Sequence, residues 1–62
     1  MPINLNTASD EILSSIPGAT PQLLRALKEP RPYRDMEQFR RDIAKSVSAK
    51  EASRLERYFV IN

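Results

Sequence analysis

Apolar residues recur along the chain at spacings of three and four, and each such run follows a residue that can cap a helix. A side-chain oxygen that accepts an otherwise unpaired backbone N–H favours a helix start, so this pattern predicts four short helices. We predict them at about residues 8–15, 21–29, 36–44 and 49–58. Their predicted N-caps are Thr7, Thr20, Asp35 and Ser48.

Two kinds of capping signal support these starts. Pro21 follows Thr20, and proline suits the first helical position because an N–H there would have no helical partner. The other three starts resemble capping boxes, in which a polar side chain three positions after the cap returns a hydrogen bond. The pairs are Thr7 with Asp10, Asp35 with Gln38, and Ser48 with Glu51.

The apolar positions also predict the core and the two ends of the chain. Side chains at spacings of three and four share one helix face, which a small domain must bury. The predicted inner-face residues are Ile12, Leu13, Ile16, Leu23, Leu24, Leu27, Met36, Phe39, Ile43, Ala49, Ala52, Leu55 and Phe59. Ile3 and Leu5 at one end, and Val60 and Ile61 at the other, predict extended tails that pack together near this core.

Length and a weak internal repeat define the architecture. The 62 residues leave room for one domain. When Thr20 is placed over Ser48, Gly18 aligns with Ser46. Neither half can bury an apolar face alone, so the two halves must pack on each other. We therefore predict one all-α domain over residues 1–62, with units at about 7–29 and 35–59 joined by a proline-bearing linker.

The residue types that are missing exclude most chemistry. The chain has no cysteine and no histidine, which excludes disulfides, thiolate metal sites and imidazole acid–base catalysis. It has no glycine-rich nucleotide loop, and so short a chain can hardly enclose a substrate pocket. We therefore expect no enzyme, no cofactor and no small-molecule substrate. Without a long apolar run or a signal-peptide pattern, we expect a cytoplasmic protein with no membrane partner.

Basic side chains are confined to the later part of the chain. Residues 1–24 contain Asp10 and Glu11 but no lysine or arginine. The ten basic and six acidic side chains that follow give residues 25–62 a formal charge of +4. This balance indicates a weakly electropositive face, which either contacts an anionic partner or is ordinary solvated helix surface.

Three stretches of the chain resemble one known family. They are Ile3-Asn4-Leu5-Asn6-Thr7-Ala8-Ser9, then Ile16-Pro17-Gly18, then Tyr33 with Phe39. In this order and spacing they resemble the helix-hairpin-helix domain of ComEA-like competence proteins, over nearly the whole chain. The Arg31-Pro32-Tyr33 segment is also similar to PsbU, an extrinsic subunit of cyanobacterial photosystem II that has this fold without DNA binding as its role.

The resemblance implies a phosphate site at each turn between paired helices. We call residues 16–21 the first turn and residues 45–49 the second turn. In the family, backbone N–H groups of such a turn bind a DNA phosphate without contacting bases. The corresponding donors here are the N–H groups of Gly18, Thr20 and Gln22. The predicted partner is duplex DNA, bound weakly and without sequence preference. The implied phosphate-binding residues are Gly18, Ala19, Thr20, Gln22, Arg25, Lys45, Ser46, Ser48, Lys50 and Arg54.

Several positions depart from the family pattern. Thr20 stands where the family has a second glycine, and Gln22 stands where a lysine or a small polar residue is common. Ser46 replaces the glycine of the second turn, so a left-handed conformation there would be strained and we expect a reshaped turn. Some family turns also hold a monovalent cation on backbone carbonyls, which correspond here to those of Ser14, Ile16 and Ala19. No side chain indicates or excludes such a cation site.

These departures keep a second function open. The fold could serve as a protein-interaction or structural module that has lost the phosphate grip. That alternative predicts an exposed apolar patch from Leu24, Tyr33 and the Phe59-Val60-Ile61 tail, which would meet a protein partner. Gly18 has a second interpretation too, because a tight turn favours glycine whatever it binds. The resemblance makes DNA binding the function that we predict.

Overall fold

Capping chemistry begins each of the four helices in the computed structural model, which describes residues 2–62. The elements in chain order are β1 (Ile3–Asn4), α1 (Asp10–Ser14), α2 (Pro21–Lys28), α3 (Met36–Ile43), α4 (Ala49–Glu56) and β2 (Phe59–Val60). The side-chain oxygens of Thr20, Asp35 and Ser48 each accept the backbone N–H three residues later. The predicted starts of α2, α3 and α4 are therefore confirmed, and these helices end one or two residues earlier than predicted.

The prediction for α1 is wrong at its start. Ser9, not Thr7, is the N-cap, and its Oγ accepts the N–H of Ile12 at 3.2 Å. The N–H groups of Thr7 and Ala8 instead donate to the Asn4 carbonyl, at 3.2 and 2.9 Å, and form a turn. A guanidinium from the α2–α3 linker binds two carbonyls of this segment. These contacts hold the segment outside the helix, so α1 begins only after it.

The inner face of α1 also differs from the prediction. Ile12 is 47% exposed, whereas Leu13 and Ile16 are buried. The N–H groups of Ser15 and Ile16 donate to carbonyls three positions earlier, so the chain winds more tightly where α1 ends. In such a winding, residues i and i+3 lie above one another. Ile16 therefore follows Leu13 into the core, and Ile12 stays outside; Ala49, the first residue of α4, is exposed as well.

The two tails pair as strands, so the fold is mostly helical but not all-α as predicted. β1 and β2 run parallel, with Ile3 opposite Phe59 and Asn4 opposite Val60. The N–H of Ile3 donates to the Tyr58 carbonyl at 2.8 Å. A few alternating residues predict an extended segment, but they cannot identify a hydrogen-bonding partner at the other end of the chain.

One hydrophobic core lies between the helices and the strand pair. Its buried residues are Leu5, Ala8, Leu13, Ile16, Leu23, Leu27, Tyr33, Phe39, Ile43, Ala52, Leu55 and Phe59. α1 packs against α2 and α3 against α4, with the ion pairs Lys28–Asp10 and Arg40–Glu56 between them, both at 2.7 Å. Partly exposed pairs of this kind contribute little, so the apolar residues hold the fold together. None of the helices within residues 2–62 is long and apolar enough to cross a membrane.

The apolar patch required by the alternative function is mostly buried. Tyr33 is 3% exposed and Phe59 is 5% exposed, because both rings pack against Phe39. Leu24 is partly buried against the core, and only Val60 among these residues is clearly exposed. The prediction of a continuous exposed patch is therefore wrong.

The linker between α2 and α3 is fixed to the N-terminal segment by polar contacts. Arg31 Nη1 donates to the carbonyls of Leu5 and Ala8, at 3.1 and 2.9 Å. The Tyr33 hydroxyl donates to the Leu27 carbonyl at 2.9 Å from within the core. Burial of this phenol raises the pKa of Tyr33 to about 12. The linker is thus a packed part of the domain.

Asn6 ties both chain ends to this linker. Its Oδ1 accepts the N–H of Tyr33 at 2.6 Å, and its Nδ2 donates to the carbonyls of Tyr33 and Asn62, at 2.9 and 3.2 Å. Asn6→Ala removes these contacts together, so we expect it to lower the free energy of unfolding by about 2 kcal/mol, measured by urea denaturation. Asn4→Ala is the control: the Asn4 Oδ1 accepts the N–H of Asn6 at 3.1 Å, and its loss should cost about 0.5–1 kcal/mol. Equal losses in the two variants would contradict the role given to Asn6.

Candidate nucleic-acid interface

The first turn reverses the chain between α1 and α2 around Gly18. Gly18 has a φ of +84°, a conformation that other L residues rarely adopt. The N–H of Ala19 donates to the Ile16 carbonyl at 3.0 Å, which engages one of the three carbonyls considered for a monovalent cation. The Thr20 hydroxyl accepts the N–H of Leu23 at 3.1 Å and is therefore committed to capping α2.

The N–H groups of Gly18, Thr20 and Gln22 have no hydrogen-bond acceptor within residues 2–62. All three residues are exposed. They flank the start of α2, where aligned backbone dipoles produce a partial positive charge. Pro21, which lies among them, has no N–H of its own. The first turn therefore presents to solvent the three donors that the resemblance implies.

The second turn has a different backbone. The N–H groups of Ser46 and Val47 both donate to the Ile43 carbonyl, at 2.9 and 3.0 Å. No residue other than glycine has a positive φ within residues 2–62, so Ser46 avoids the conformation of Gly18. The reshaped turn expected from Ser46 is confirmed. As a result, the N–H of Ser46 is occupied, whereas that of Gly18 is free.

The capping box at the start of α4 closes on one side only. Ser48 Oγ accepts the N–H of Glu51 at 3.2 Å, but the Glu51 carboxylate turns away from Ser48 to Arg54. In the part of the chain that the structure describes, the Ser48 N–H consequently has no acceptor, and the N–H groups of Ala49 and Lys50 in the first turn of α4 have none either. The second turn thus keeps free donors of its own, although it lacks a glycine.

A bidentate ion pair joins Glu51 to Arg54. Arg54 Nε lies 2.7 Å from Glu51 Oε1, and Arg54 Nη2 lies 2.8 Å from Glu51 Oε2. The hydrogen bonds from Arg54 hold the pKa of Glu51 below its usual value, and those to Glu51 raise the pKa of Arg54. Because the Glu51 pKa is lowered by folding, the pair is lost as the pH falls through this lowered value.

The two turns are neighbours in space. A shallow cleft is lined by Thr20, Gln22 and Leu23 on one side and by Ser46 and Val47 on the other. A second cleft lies along α4, lined by Ser48, Lys50, Glu51, Ser53, Arg54 and Arg57. Six of the ten predicted phosphate-binding residues therefore lie in two groups beside the turns: Thr20, Gln22 and Ser46 in the first cleft, and Ser48, Lys50 and Arg54 in the second.

Only some of the basic side chains are free to meet an anion. Those in ion pairs are Lys28, Arg40, Lys45 and Arg54. Those whose side chains have no hydrogen-bond or ion-pair partner within residues 2–62 are Arg25, Arg34, Arg41, Lys50 and Arg57. Of the four predicted phosphate-binding cations, Arg25 and Lys50 are thus free, Arg54 is engaged, and Lys45 Nζ lies 3.8 Å from Asp42 in a loose pair.

Sequence reasoning did not select Arg57, and the structure places Arg25 away from the cleft of Lys50. Arg57 lines the same cleft as Lys50, and the spacing of seven residues, which places both on one face of a helix, was the signal available. Arg25 lines a different cleft together with Asp10 and Glu29. Lys28 also lines that cleft, so its two cations are balanced by two carboxylates, whereas the cleft of Lys50 holds three cations and one carboxylate and attracts an anion more strongly. Lys50 and Arg57 are therefore better placed than Arg25 to serve a phosphate.

Comparison with known proteins found no family model, curated protein or solved structure that matches this chain. The first turn places free N–H donors at the start of an eight-residue helix. The second turn places free N–H donors beside Lys50 and Arg57. Both arrangements suit an anion with several oxygen acceptors, such as a phosphate.

Proposed function

We propose that this chain is a sequence-nonspecific DNA-binding module made of two helix-hairpin-helix units, α1–α2 and α3–α4. In this proposal the first turn binds a backbone phosphate. The supporting observation is the set of free N–H groups at Gly18, Thr20 and Gln22. A helix start with free donors and a partial positive charge is a ready anion site, and glycine permits close approach of the backbone. The resemblance to ComEA-like domains supports the same function.

At the second turn, side-chain charge contributes more to phosphate binding than the backbone N–H donors do. The N–H of Ser46 is occupied, so close backbone approach there depends on the donors of Ser48 and Lys50. Lys50 and Arg57 add two free cations in the adjoining cleft, which would neutralise a second phosphate. Contacts to phosphates carry no base information, so the module should bind any duplex.

We expect weak binding that depends steeply on salt. Two to four phosphate contacts correspond to a slope of about −1.8 to −3.6 in log K against log salt, which is a loss of affinity of about 10- to 150-fold between about 50 and 200 mM salt. Fluorescence anisotropy with a labelled duplex of about 20 base pairs measures this slope, and two unrelated sequences should agree within about twofold. Absence of duplex binding at about 50 mM salt and about 1 mM protein would remove the proposal.

A pair of matched variants tests where the phosphates bind. Lys50→Gln should reduce the magnitude of the salt slope by about 0.9, because one free cation at the second turn is lost. Arg34→Gln removes a free cation at the opposite end of α3, about 12 Å from the second turn along the helix axis, and should leave the slope unchanged. In amide NMR spectra with DNA, shifts should be confined to residues 17–22 and 45–50 and to the neighbourhood of Arg57. A slope that falls equally in both variants would place the interface elsewhere.

A further inference from the structure

Arg54 connects α4 to the first turn. Its Nη2 donates to the Pro17 carbonyl at 3.0 Å, while Nε and the same Nη2 hold the Glu51 carboxylate. The guanidinium also lies directly against Gly18: a Cβ added at Gly18 would be only 3.2 Å from Arg54 Nη2. A side chain of the second half of the chain thus contacts the backbone of the first turn at its glycine.

The contact with Pro17 acts on the peptide group that supplies the first phosphate donor. The Pro17 carbonyl and the Gly18 N–H belong to the same planar peptide, and in a trans peptide they point in opposite directions. A guanidinium that holds the carbonyl on one side therefore directs the N–H to the other side. It also polarises the peptide group and makes the N–H a stronger donor.

We propose that Arg54 is a positioning residue of the first turn, which aims the Gly18 N–H at a phosphate, and is not itself a phosphate ligand. This inference rests on the proposed DNA-binding function. The charge of Arg54 is already matched by Glu51, at distances of 2.7 and 2.8 Å. It therefore contributes to affinity through the geometry of the turn and releases no counterion from DNA, unlike the free cation of Lys50.

The pairing of Glu51 with Arg54 leaves the capping box of α4 incomplete. In a complete box the Glu51 side chain would return to the N–H of Ser48. Here Glu51 instead fixes the guanidinium of Arg54, which a single hydrogen bond to Pro17 would leave free to rotate. Because the Glu51 carboxylate binds Arg54 and not the Ser48 N–H, this N–H remains free at the second turn. One ion pair thus prepares donors at both turns.

The first experiment compares the salt slopes of DNA binding. Arg54→Gln should weaken binding about fivefold at about 50 mM salt and leave the slope within about 0.3 of the wild type. Arg57→Gln, in the same cleft, is the matched control and should reduce the slope by about 0.9 because its cation is free. Arg54→Lys keeps the charge but not the planar fork, so it should bind as weakly as Arg54→Gln. A slope that is reduced in Arg54→Gln and restored in Arg54→Lys would make Arg54 a phosphate ligand and overturn the proposal.

The second experiment needs no DNA. In amide NMR spectra of the folded, free protein, Arg54→Gln and Glu51→Gln should shift the Gly18 amide more than any other amide outside α4, and Arg57→Gln should not. Glu51→Gln is the milder change, and it can be measured alone if Arg54→Gln does not fold. If the chemical shift of the Gly18 amide does not change in Glu51→Gln, the inference is overturned, even when the chain binds DNA. A responsive Gly18 amide in a chain that binds no DNA refutes the proposed function and leaves the control of the turn by Arg54 intact.

Discussion

Phe39→Ala is expected to unfold the domain at room temperature. Phe39 is fully buried, and its ring meets those of Tyr33 and Phe59 edge to face, each at a centroid distance of 5.8 Å. Removal of a buried phenylalanine side chain costs about 3–5 kcal/mol, with about 0.5–1.5 kcal/mol more for each aromatic pair. A single core in a chain this short supplies only about 3–5 kcal/mol of net stability. The loss therefore equals or exceeds the total.

The position of Phe39 explains why no neighbour can compensate. Through Tyr33 it holds the α2–α3 linker, and through Phe59 it holds β2 at the end of the chain. Far-UV circular dichroism and urea titration measure the outcome. Phe39→Leu is the matched control, which keeps most of the apolar volume and should remain folded at a cost of about 1 kcal/mol. A cooperative thermal transition of Phe39→Ala within about 5 °C of the wild type would refute this account of the core.

The helix starts that could be predicted from the sequence are those decided by local chemistry. Thr20, Asp35 and Ser48 each cap their own helix through a hydrogen bond to the residue three positions later. Such a contact needs no information from the rest of the chain, so the pattern of residues was sufficient. The choice between Thr7 and Ser9 was not local, because both can cap α1. Contacts from the distant linker decided it.

Long-range contacts account for the other differences. The pairing of Ile3 with Phe59 joins opposite ends of the chain, and the polar side chain of Asn6 holds the backbone of Tyr33. Neither of these two contacts produces a regular residue spacing from which it could be predicted. The exposure of Ile12 follows from the tightened winding at the end of α1, which a helical period does not describe. Periodicity therefore predicted the elements but not how their ends are tied.

In the candidate site, too, some features follow from local sequence and others depend on long-range contacts. The positive φ of Gly18 and the free donors around it follow from a local pattern of glycine, threonine and proline, and the structure agrees with that pattern. The spacing of Glu51 and Arg54 also allows a pair on one helix face. What the sequence could not show is that the guanidinium reaches the Pro17 carbonyl, 37 positions away in the chain. Arg54, which the sequence places beside the second turn, thus also donates to a backbone carbonyl of the first turn.

Gly18→Ala should damage both the fold and the proposed DNA binding. At a φ of +84° an L residue costs about 1–2 kcal/mol relative to glycine. The added Cβ would also stand 3.2 Å from Arg54 Nη2, so either the guanidinium or the turn must move. Because the peptide held by Arg54 carries the Gly18 donor, we expect DNA affinity to fall more than about tenfold, the equivalent of about 1.4 kcal/mol.

Ser46→Ala is the matched control for Gly18→Ala, because Ser46 occupies the equivalent place in the second turn without a positive φ. Its side chain is exposed, so the free energy of unfolding should change by no more than about 0.5 kcal/mol. The N–H of Ser46 already donates to the Ile43 carbonyl, so DNA affinity should change little as well. Urea denaturation and anisotropy titration of both variants separate the two effects. If Gly18→Ala is destabilised but binds DNA as the wild type does, the glycine serves only the turn, and the phosphate must bind elsewhere.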